Sequence, residues 1–428
     1  MDWPYGVALL FVLLFAGMPI AFAMTAVAFV GIASIIGVAP ALAMLGQVYF
    51  DSGRSYTLSV VPLFLLMGNL IVQSGVADEI YQAANAWLRH RKGGLAMATV
   101  VACGGFGSVC GSSLATTATM GRISLPAMRR YGYSDRLATG AIAAGGTLGI
   151  IIPPSVILII YGLLTQQDIG RLFLAGIIPG IVGVIGYMMA VRLSLWLHPE
   201  ALETLPRLPL RERFAALRGV AGALSLFAFV LGGIYLGAFT ATEAAGMGAA
   251  GAFLITALRG RLTWRATLTT LFDSGKTAAI MFFILFGASY FMNYVNLSGL
   301  SSDMRDFILG LGLPPAGVIA LIVVMLLILG CLIESMSMVM LVVPVLFPIV
   351  TAIGYDPIWF GIFIVVAAEL SYITPPMGLN VFVLRVVARD VPVQTIFAGV
   401  LPFVVMDIVR IVLLILLPGM ALILPRSM

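Results

Sequence analysis

Charged residues are scarce in this sequence: Asp, Glu, Lys and Arg make up only 10% of its 428 residues, whereas 61% are hydrophobic. A water-soluble globule of this length needs more polar surface, so a soluble protein is excluded and a lipid bilayer is the expected surroundings. The net charge of +5 comes from basic residues in a few loops between apolar runs. That distribution indicates cytoplasmic loops of a polytopic membrane protein, not a nucleic-acid partner.

The side chains that enzymes commonly use are scarce as well. The chain has two histidines, at the ends of apolar segments, and three cysteines whose spacing fits neither a disulfide framework nor a metal site. It contains no zinc-protease, nucleophile-elbow, Walker or dinucleotide-binding motif. The sequence therefore predicts no enzyme, no organic cofactor and no transition-metal site. The first apolar run, from Tyr5, has no basic segment before it and predicts a retained span, not a signal peptide.

What the sequence does contain is an internal repeat at a shift of 222 positions. The shift superposes polar residues and prolines of one half on the other, namely Ser113 on Ser335, Pro126 on Pro348, Pro153 and Pro154 on Pro375 and Pro376, and Asp168 on Asp390. Each half then predicts five spans and one re-entrant hairpin, whose legs of roughly 14 to 16 residues are short for crossing a bilayer. A span broken at the tandem prolines follows each hairpin.

We therefore predict a first repeat over 1–198, a cytoplasmic linker over 199–215 and a second repeat over 216–428. The hairpins and the broken helices are expected over 94–127, 316–350, 137–163 and 358–387. Residues 5–38 could form one span or two, and the second half favours two. Since five crossings per repeat is an odd number, the repeats should be inverted, as in secondary transporters that bind substrate and ion near the midplane. The predicted fold class is an all-α polytopic membrane protein.

The hairpin tips and the breaks carry the polar chemistry. Residues 104–113 are rich in glycine and serine, and a helix that begins near Ser112 directs its positive end at the same place. Tandem prolines free backbone carbonyls, which together with a threonine hydroxyl are hard oxygen ligands suited to sodium. Close packing of small residues and a plain proline kink are the structural alternatives.

A few acidic residues lie inside apolar segments. Glu334, in the second tip, could ligate an ion, cap the next helix or reach the outer interface, and the sequence leaves these open. Glu369 precedes the second break and its role is also open. Glu243 fits a capping box, and Asp407 and Arg410 are spaced to pair within the last span.

Five motifs in combination resemble the large membrane subunit of TRAP (tripartite ATP-independent periplasmic) transporters, of the DctM/SiaM type. They are GSVCGSSLAT at 107–116, RRYGYS at 129–134, GTLGIIIPPS at 146–155, FTATEAA at 239–245 and ITPPMGLN at 373–380. The resemblance covers essentially the whole chain. It implies an elevator-type carrier of the bacterial inner membrane, driven by a sodium gradient and loaded by a periplasmic substrate-binding protein. A small four-helix membrane subunit is expected as a separate chain, since no fused copy precedes Met1.

The resemblance also implies site residues. The sodium ligands it implies are Ser108, Gly111, Ser112, Gly145 and Thr147 for one ion, and Gly330, Ser335, Thr374, Met377 and Gly378 for another. The residues it implies for the substrate are Ser113, Thr116, Pro154, Ser337, Pro375 and Asn380. Cys110 stands where a small hydroxyl residue or glycine is expected.

The function expected from these observations is sodium-coupled uptake of a small organic anion such as a dicarboxylate or a sialic acid. One alternative is a sodium-anion symporter that works without a binding protein. An ion channel is disfavoured, because the polar groups gather at two tips and two breaks and do not line a continuous pore.

Overall fold

The computed structural model describes residues 2–200, 202–310 and 312–428, and all regular elements in these ranges are helical. Position 201, within the predicted linker, lies outside the described residues. The helices of the first half are α1 (Trp3–Phe15), α2 (Ile20–Ile36), α3 (Val38–Gly53), α4 (Val60–Gln73), α5 (Val76–Leu88), α6 (Gly94–Cys110), α7 (Ser113–Arg130), α8 (Asp135–Gly145), α9 (Val156–Thr165) and α10 (Ile169–Leu197). Those of the second half are α11 (Leu210–Tyr235), α12 (Ala241–Leu258), α13 (Trp264–Leu297), α14 (Leu300–Gly310), α15 (Pro315–Gly330), α16 (Ser335–Ala352), α17 (Pro357–Ser371), α18 (Leu379–Val387), α19 (Val393–Leu416) and α20 (Gly419–Arg426). The prediction of an all-α protein is confirmed.

The helix order occurs twice, at the spacing seen in the sequence. Each hairpin has a second leg, which is Ser113–Arg130 in the first half and Ser335–Ala352 in the second. These two legs begin 222 positions apart and end 222 positions apart. The helices α5 to α10 have counterparts in α14 to α19, in the same order and with bounds that agree within a few residues at most ends. The single long helix α13 takes the place of both α3 and α4.

Residues 5–38 form two helices, the interpretation that the second half favours, separated by a turn in which Gly17 has a φ of 84°. Several other expectations differ from the structure. Three helices were missed, α3, α5 and α14, because they are more polar than the spans and a search for apolar runs passes over them. The hairpin legs are 16 to 18 residues long, not 14 to 16. The closing helix of the second half is divided at Leu417 and Pro418.

Seven helices of the described residues are long and apolar enough to cross a membrane. They begin at residues 56, 169, 210, 241, 264, 335 and 393. The remaining apolar helices, among them α6, α9, α15 and α17, are shorter than 18 residues. Length alone therefore does not separate hairpin legs from spans, because the leg α16 is as long as the span α12.

Both Pro-Pro segments interrupt their helices, as predicted. After α8 the chain forms a short 3₁₀ helix, Gly146–Ile150, and α9 begins only after Ser155, whose Oγ accepts a hydrogen bond from the Leu158 amide at 3.3 Å. In the second half α17 ends at Ser371 and α18 begins after Gly378, which has a φ of 50°. Each broken helix is thus two short helices joined by irregular backbone.

The short helices that follow the breaks pack across the molecule. Helix α9 of the first half packs against α16 and α17 of the second, and α18 of the second half packs against α7 and α8 of the first. The Tyr161 hydroxyl donates to the Pro357 carbonyl at 2.6 Å, and the Asn380 amide donates to the Ala143 carbonyl at 2.9 Å. Equivalent elements therefore make equivalent contacts, which is what a pseudo-two-fold relation between the repeats requires.

Candidate functional site

Both hairpin tips line one cavity of about 430 Å³. Residues 110–115 come from the first tip and residues 334–337 from the second. The other walls come from α4, from α13 and from the chain on either side of the first break, around Ile150 and Val156. Two polar chain reversals from different halves therefore meet at one partly open cavity.

The first tip is built by a glycine and a serine. Helix α6 ends at Cys110, and Gly111 follows with a φ of 64°, a conformation that favours glycine. Ser112 is extended, and its Oγ accepts a hydrogen bond from the Ala115 amide at 3.3 Å, so it caps α7. This cap is uncharged, and the positive end of the helix dipole of α7 faces the cavity.

The second tip is capped by a carboxylate. One oxygen of Glu334 accepts from the Met336 and Ser337 amides at 3.0 and 3.2 Å, and the other accepts from the Tyr372 hydroxyl at 3.0 Å. Glu334 is thus the N-cap of α16, which is one of the three roles that the sequence left open. Its negative charge offsets the positive end of α16. The two tips consequently differ in charge at the same cavity.

The first tip packs directly on the first break. A Cβ added at Gly149 would lie 2.2 Å from Gly107 Cα, so the two glycines allow the backbones to touch. The Ser108 hydroxyl donates to the Gly105 carbonyl at 2.9 Å and the Thr147 hydroxyl to the Ala144 carbonyl at 2.8 Å. A hydroxyl that donates its proton in this way keeps oxygen lone pairs for a cation.

The second tip packs on the second break in the same manner. A Cβ at Gly330 would lie 2.1 Å from the Ser371 Oγ. The Tyr372 hydroxyl, at the end of the break's first helix, accepts from the Ser335 amide and lies within hydrogen-bond distance of the Ser335 Oγ, both at 2.6 Å. The Thr374 hydroxyl donates to the Leu370 carbonyl at 2.6 Å. The structure therefore brings each tip against the break of its own repeat.

The residues implied for the sites fall into two groups. Those that line the cavity between the tips are Gly111, Ser112, Ser113, Glu334, Ser335 and Ser337. Those that lie away from its walls are Ser108, Thr116, Gly145, Thr147, Pro154, Gly330, Thr374, Pro375, Met377, Gly378, Asn380 and Glu369. Among these, Pro154 is buried whereas Pro375 and Met377 are exposed.

Asn380 connects the two halves beneath the cavity. It is fully buried, and its amide donates to the Ser113 Oγ at 2.7 Å as well as to the Ala143 carbonyl. Ser113 is 3% exposed and is the first helical residue of the first tip. Asn380 therefore holds that tip against α8.

Three polar residues of the cavity wall were missed by the sequence analysis: Asn69, Thr277 and Tyr372. The Asn69 amide also donates to the Ser274 Oγ at 2.8 Å, which links α4 to α13. A lone amide in the apolar run of α4 was a signal that could have found Asn69. Tyr372 stands beside the second break and was not given a role.

A buried charge network joins the two broken regions. Arg410 is ion-paired with Glu369, and its Nη2 lies 2.8 Å from Asp407 Oδ1. The Tyr187 hydroxyl donates to Asp407 at 2.5 Å and lies 3.2 Å from the Thr147 hydroxyl. The predicted pairing of Asp407 with Arg410 is confirmed, and Glu369 is found to share it. The predicted capping box at Glu243 is confirmed too, with Thr240 as the N-cap.

The fold, the tips and the breaks can be compared with known proteins. Residues 7–420 match the model of the DctM component of the tripartite ATP-independent periplasmic transporter. This chain belongs to the DctM family of TRAP transporter subunits. It is 35% identical to the C4-dicarboxylate TRAP transporter large permease protein DctM of Pseudomonas aeruginosa, over 88% of each chain. It is 34% identical to the sialic acid TRAP transporter large permease protein SiaM of Vibrio cholerae, over 97% of this chain and 96% of that protein.

The fold is also found in a solved structure, that of the YdaH transporter of Alcanivorax borkumensis. The TM-score is 0.65 at 16% sequence identity, over 90% of this chain and 89% of the other. As a TRAP transporter large permease, the chain is a multi-pass protein of the bacterial inner membrane and a transporter subunit, not an enzyme.

Proposed function

We propose that this TRAP permease carries a small carboxylate into the cell together with sodium ions, after a periplasmic binding protein has delivered it. The observation that supports the proposal most directly is the shared cavity between the two tips. Its volume of about 430 Å³ falls within the range of roughly 300 to 1,000 Å³ typical of small-molecule sites. The relatives named for C4-dicarboxylates and sialic acid suggest the substrate class, since both substrates carry carboxylates.

The carboxylate would bind at the first tip. The neutral cap Ser112 leaves the positive end of α7 without a compensating charge, whereas Glu334 supplies one at α16. An anion in the cavity is therefore attracted toward α7 and repelled by Glu334. Ser337 on the cavity wall offers a hydroxyl donor to it.

Sodium ions would bind where each tip meets its break. Ser108, Gly111, Ser112, Gly145 and Thr147 remain the proposed ligands in the first repeat, and Gly330, Ser335, Thr374, Met377 and Gly378 in the second. The backbone oxygens freed by the breaks and the hydroxyl oxygens of Thr147 and Thr374 form a neutral oxygen environment, which suits a hard monovalent cation. Thr116, Pro154, Pro375 and Asn380 then support the substrate space without lining it.

Movement would follow an elevator scheme. The hairpins and broken helices pack on one another, whereas α2, α4, α12 and α13 pack together as a second group. The cavity lies where these two groups meet, because α4 and α13 form its outer wall. A shift of the first group past the second would carry bound ligands across the membrane, with a small four-helix subunit supporting the second group.

Replacement of Thr374 by valine tests the sodium proposal. The shape is kept but the hydroxyl oxygen is lost, so the sodium concentration for half-maximal uptake should rise at least about tenfold. Uptake is measured in vesicles that contain the permease and the small subunit, with the binding protein outside and a sodium or potassium gradient. Thr351→Val is the matched control, because Thr351 also donates to a backbone carbonyl four residues earlier but lies away from the tips and breaks.

Three outcomes would contradict the proposal. Equal uptake with either gradient would remove sodium as the coupling ion. Equal effects of Thr374→Val and Thr351→Val would remove the second ion site. Uptake at the same rate without the binding protein would favour the alternative, a symporter that works alone.

A further inference from the structure

A second cavity lies behind the first hairpin, between α5 and α6 on one side and α11 on the other. Its volume is about 610 Å³, and its walls are almost entirely apolar, with Ala84, Val101, Ala223 and Phe227 among them. It opens beside Leu224, which is 56% exposed. We call this space the α5–α11 groove. Ser108, Ile152 and Pro153, from the first hairpin and the first break, also line the groove, but the rest of its walls is apolar and suits an acyl chain better than the substrate or sodium.

One end of the α5–α11 groove carries hydrogen-bond donors without partners. Arg213 is 3% exposed, and its guanidinium carbon lies 5.7 Å from the centre of the Trp87 ring, which itself lines the groove. Within the described ranges, Arg213 Nε and Nη2, Trp87 Nε1 and His90 Nδ1 are buried and have no hydrogen-bond partner, and Arg213 forms no ion pair. A buried guanidinium without an anion is costly, so an anionic ligand is expected there.

The surroundings of this end are basic. Loss of solvation and the nearby guanidinium groups of Arg213, Arg207 and Arg91 lower the pKa of His90. Glu79, in the first turn of α5, is paired with Arg259 at 2.7 Å and forms no ion pair with Arg213. The loops that carry these arginines are the ones predicted to lie in the cytoplasm.

The apolar walls of the α5–α11 groove reach the residues that carry the unpartnered donors. Leu217, one helical turn after Arg213, lines it, as does Trp87. Basic pockets between helices on the cytoplasmic side are typical sites for anionic lipid headgroups. We propose that the α5–α11 groove binds an anionic phospholipid, with an acyl chain along its apolar walls and the phosphate accepting hydrogen bonds from Arg213 and Trp87. A free phosphate would leave the apolar part unfilled.

Lipid retention by the full-length chain, measured by native mass spectrometry after purification with phosphatidylglycerol, tests the proposal. Arg213→Gln should lower phosphatidylglycerol affinity about fivefold, the effect of losing one basic residue at an anionic headgroup. Arg211→Gln is the matched control. Arg211 lies on the same helix and its replacement causes the same change in charge, but its side chain is exposed. This variant should retain the lipid as the unmodified chain does.

A second variant fills the apolar part of the groove and leaves the arginine in place. Ala223→Phe should also lower retention of phosphatidylglycerol, while the thermal unfolding midpoint shows that each variant is folded. Equal retention by Arg213→Gln and Arg211→Gln would overturn the proposal. So would displacement of the lipid by soluble glycerol phosphate alone, or by the small membrane subunit, because the occupant would then be a phosphate or a protein surface. None of these readouts depends on sodium coupling or on the transported substrate.

Discussion

Gly149 and Gly107 illustrate how single residues set the contact between hairpin and break. A methyl group at Gly149 would meet backbone atoms of Gly107 at 2.2 Å, and backbone cannot move aside as a flexible side chain can. Gly149→Ala should therefore destabilise the protein by about 1 to 3 kcal/mol and lower its thermal unfolding midpoint. Gly246→Ala, at a helical glycine with no atom within 4 Å of the added Cβ, should leave the midpoint unchanged or raise it slightly. Equal midpoints for the two variants would count against the contact.

Arg410 is the residue on which the buried network depends. Arg410→Met leaves Glu369 and Asp407 buried without a counter-charge, and should cost about 3 to 5 kcal/mol. Arg305→Met is the matched control, because Arg305 pairs with Asp306 at the surface, where their side chains are 50% and 69% exposed; it should cost at most about 1 kcal/mol. Urea or thermal unfolding in detergent measures both. Adding Glu369→Gln to Arg410→Met should restore part of the loss.

The sequence predicted one contact of the buried network but not the others. Asp407 and Arg410 lie one helical turn apart, so their pairing could be read from spacing. Glu369 precedes Arg410 by 41 positions and Tyr187 precedes Asp407 by 220. Only the packing of α10, α17 and α19 brings them together, and no local pattern encodes that.

At the scale of the helix, the difference between the two caps can be tested. Ser112→Asp keeps a good N-cap for α7, so stability should not fall. It places a negative charge at the cavity, however, and should strongly reduce uptake of an anionic substrate. Thr263→Asp is the matched control, because the Thr263 hydroxyl accepts from the Ala266 amide at 3.3 Å, as Ser112 does from Ala115. Normal uptake by Ser112→Asp would show that the anion does not bind near α7.

The sequence predicted helices well where they are apolar and poorly where they are amphipathic. Helix α5 carries Asp78 and Glu79 in its first turn and buries only one face, so its signal is periodic, not an apolar run. The legs of the hairpins extend beyond their apolar runs, because α6 remains helical through the glycines up to Cys110. Burial between other helices compensates there for the poor helix propensity of glycine.

Two cysteines of the molecule can be used to measure movement between the second tip and its break. Cys331 lies at the second tip, with its Sγ 3.9 Å from the Pro375 carbonyl, and Cys103 is fully buried. If sodium binds between the second tip and its break, it should draw them together and slow alkylation of Cys331 by a water-soluble maleimide, measured by mass spectrometry. Potassium should have no effect, and Cys103 should stay unlabelled. A Cys331 rate that sodium does not change would count against the second ion site.

The repeat seen in the sequence predicted that the two halves have the same plan, but not how they are joined. A shift of 222 positions shows which residues are equivalent. It carries no information on whether α9 and α18 pack within their own half or across to the other, because that depends on the direction the chain takes after each break. The contacts of Tyr161 and Asn380 settle this in favour of the other half.

Helices α9 and α18 each pack on the opposite half of the chain, and this has a consequence for how the protein is synthesised. During synthesis the ribosome completes α7 and α8 long before it reaches residue 387, the end of α18. Until then the first hairpin lacks the helix that covers it in the finished protein.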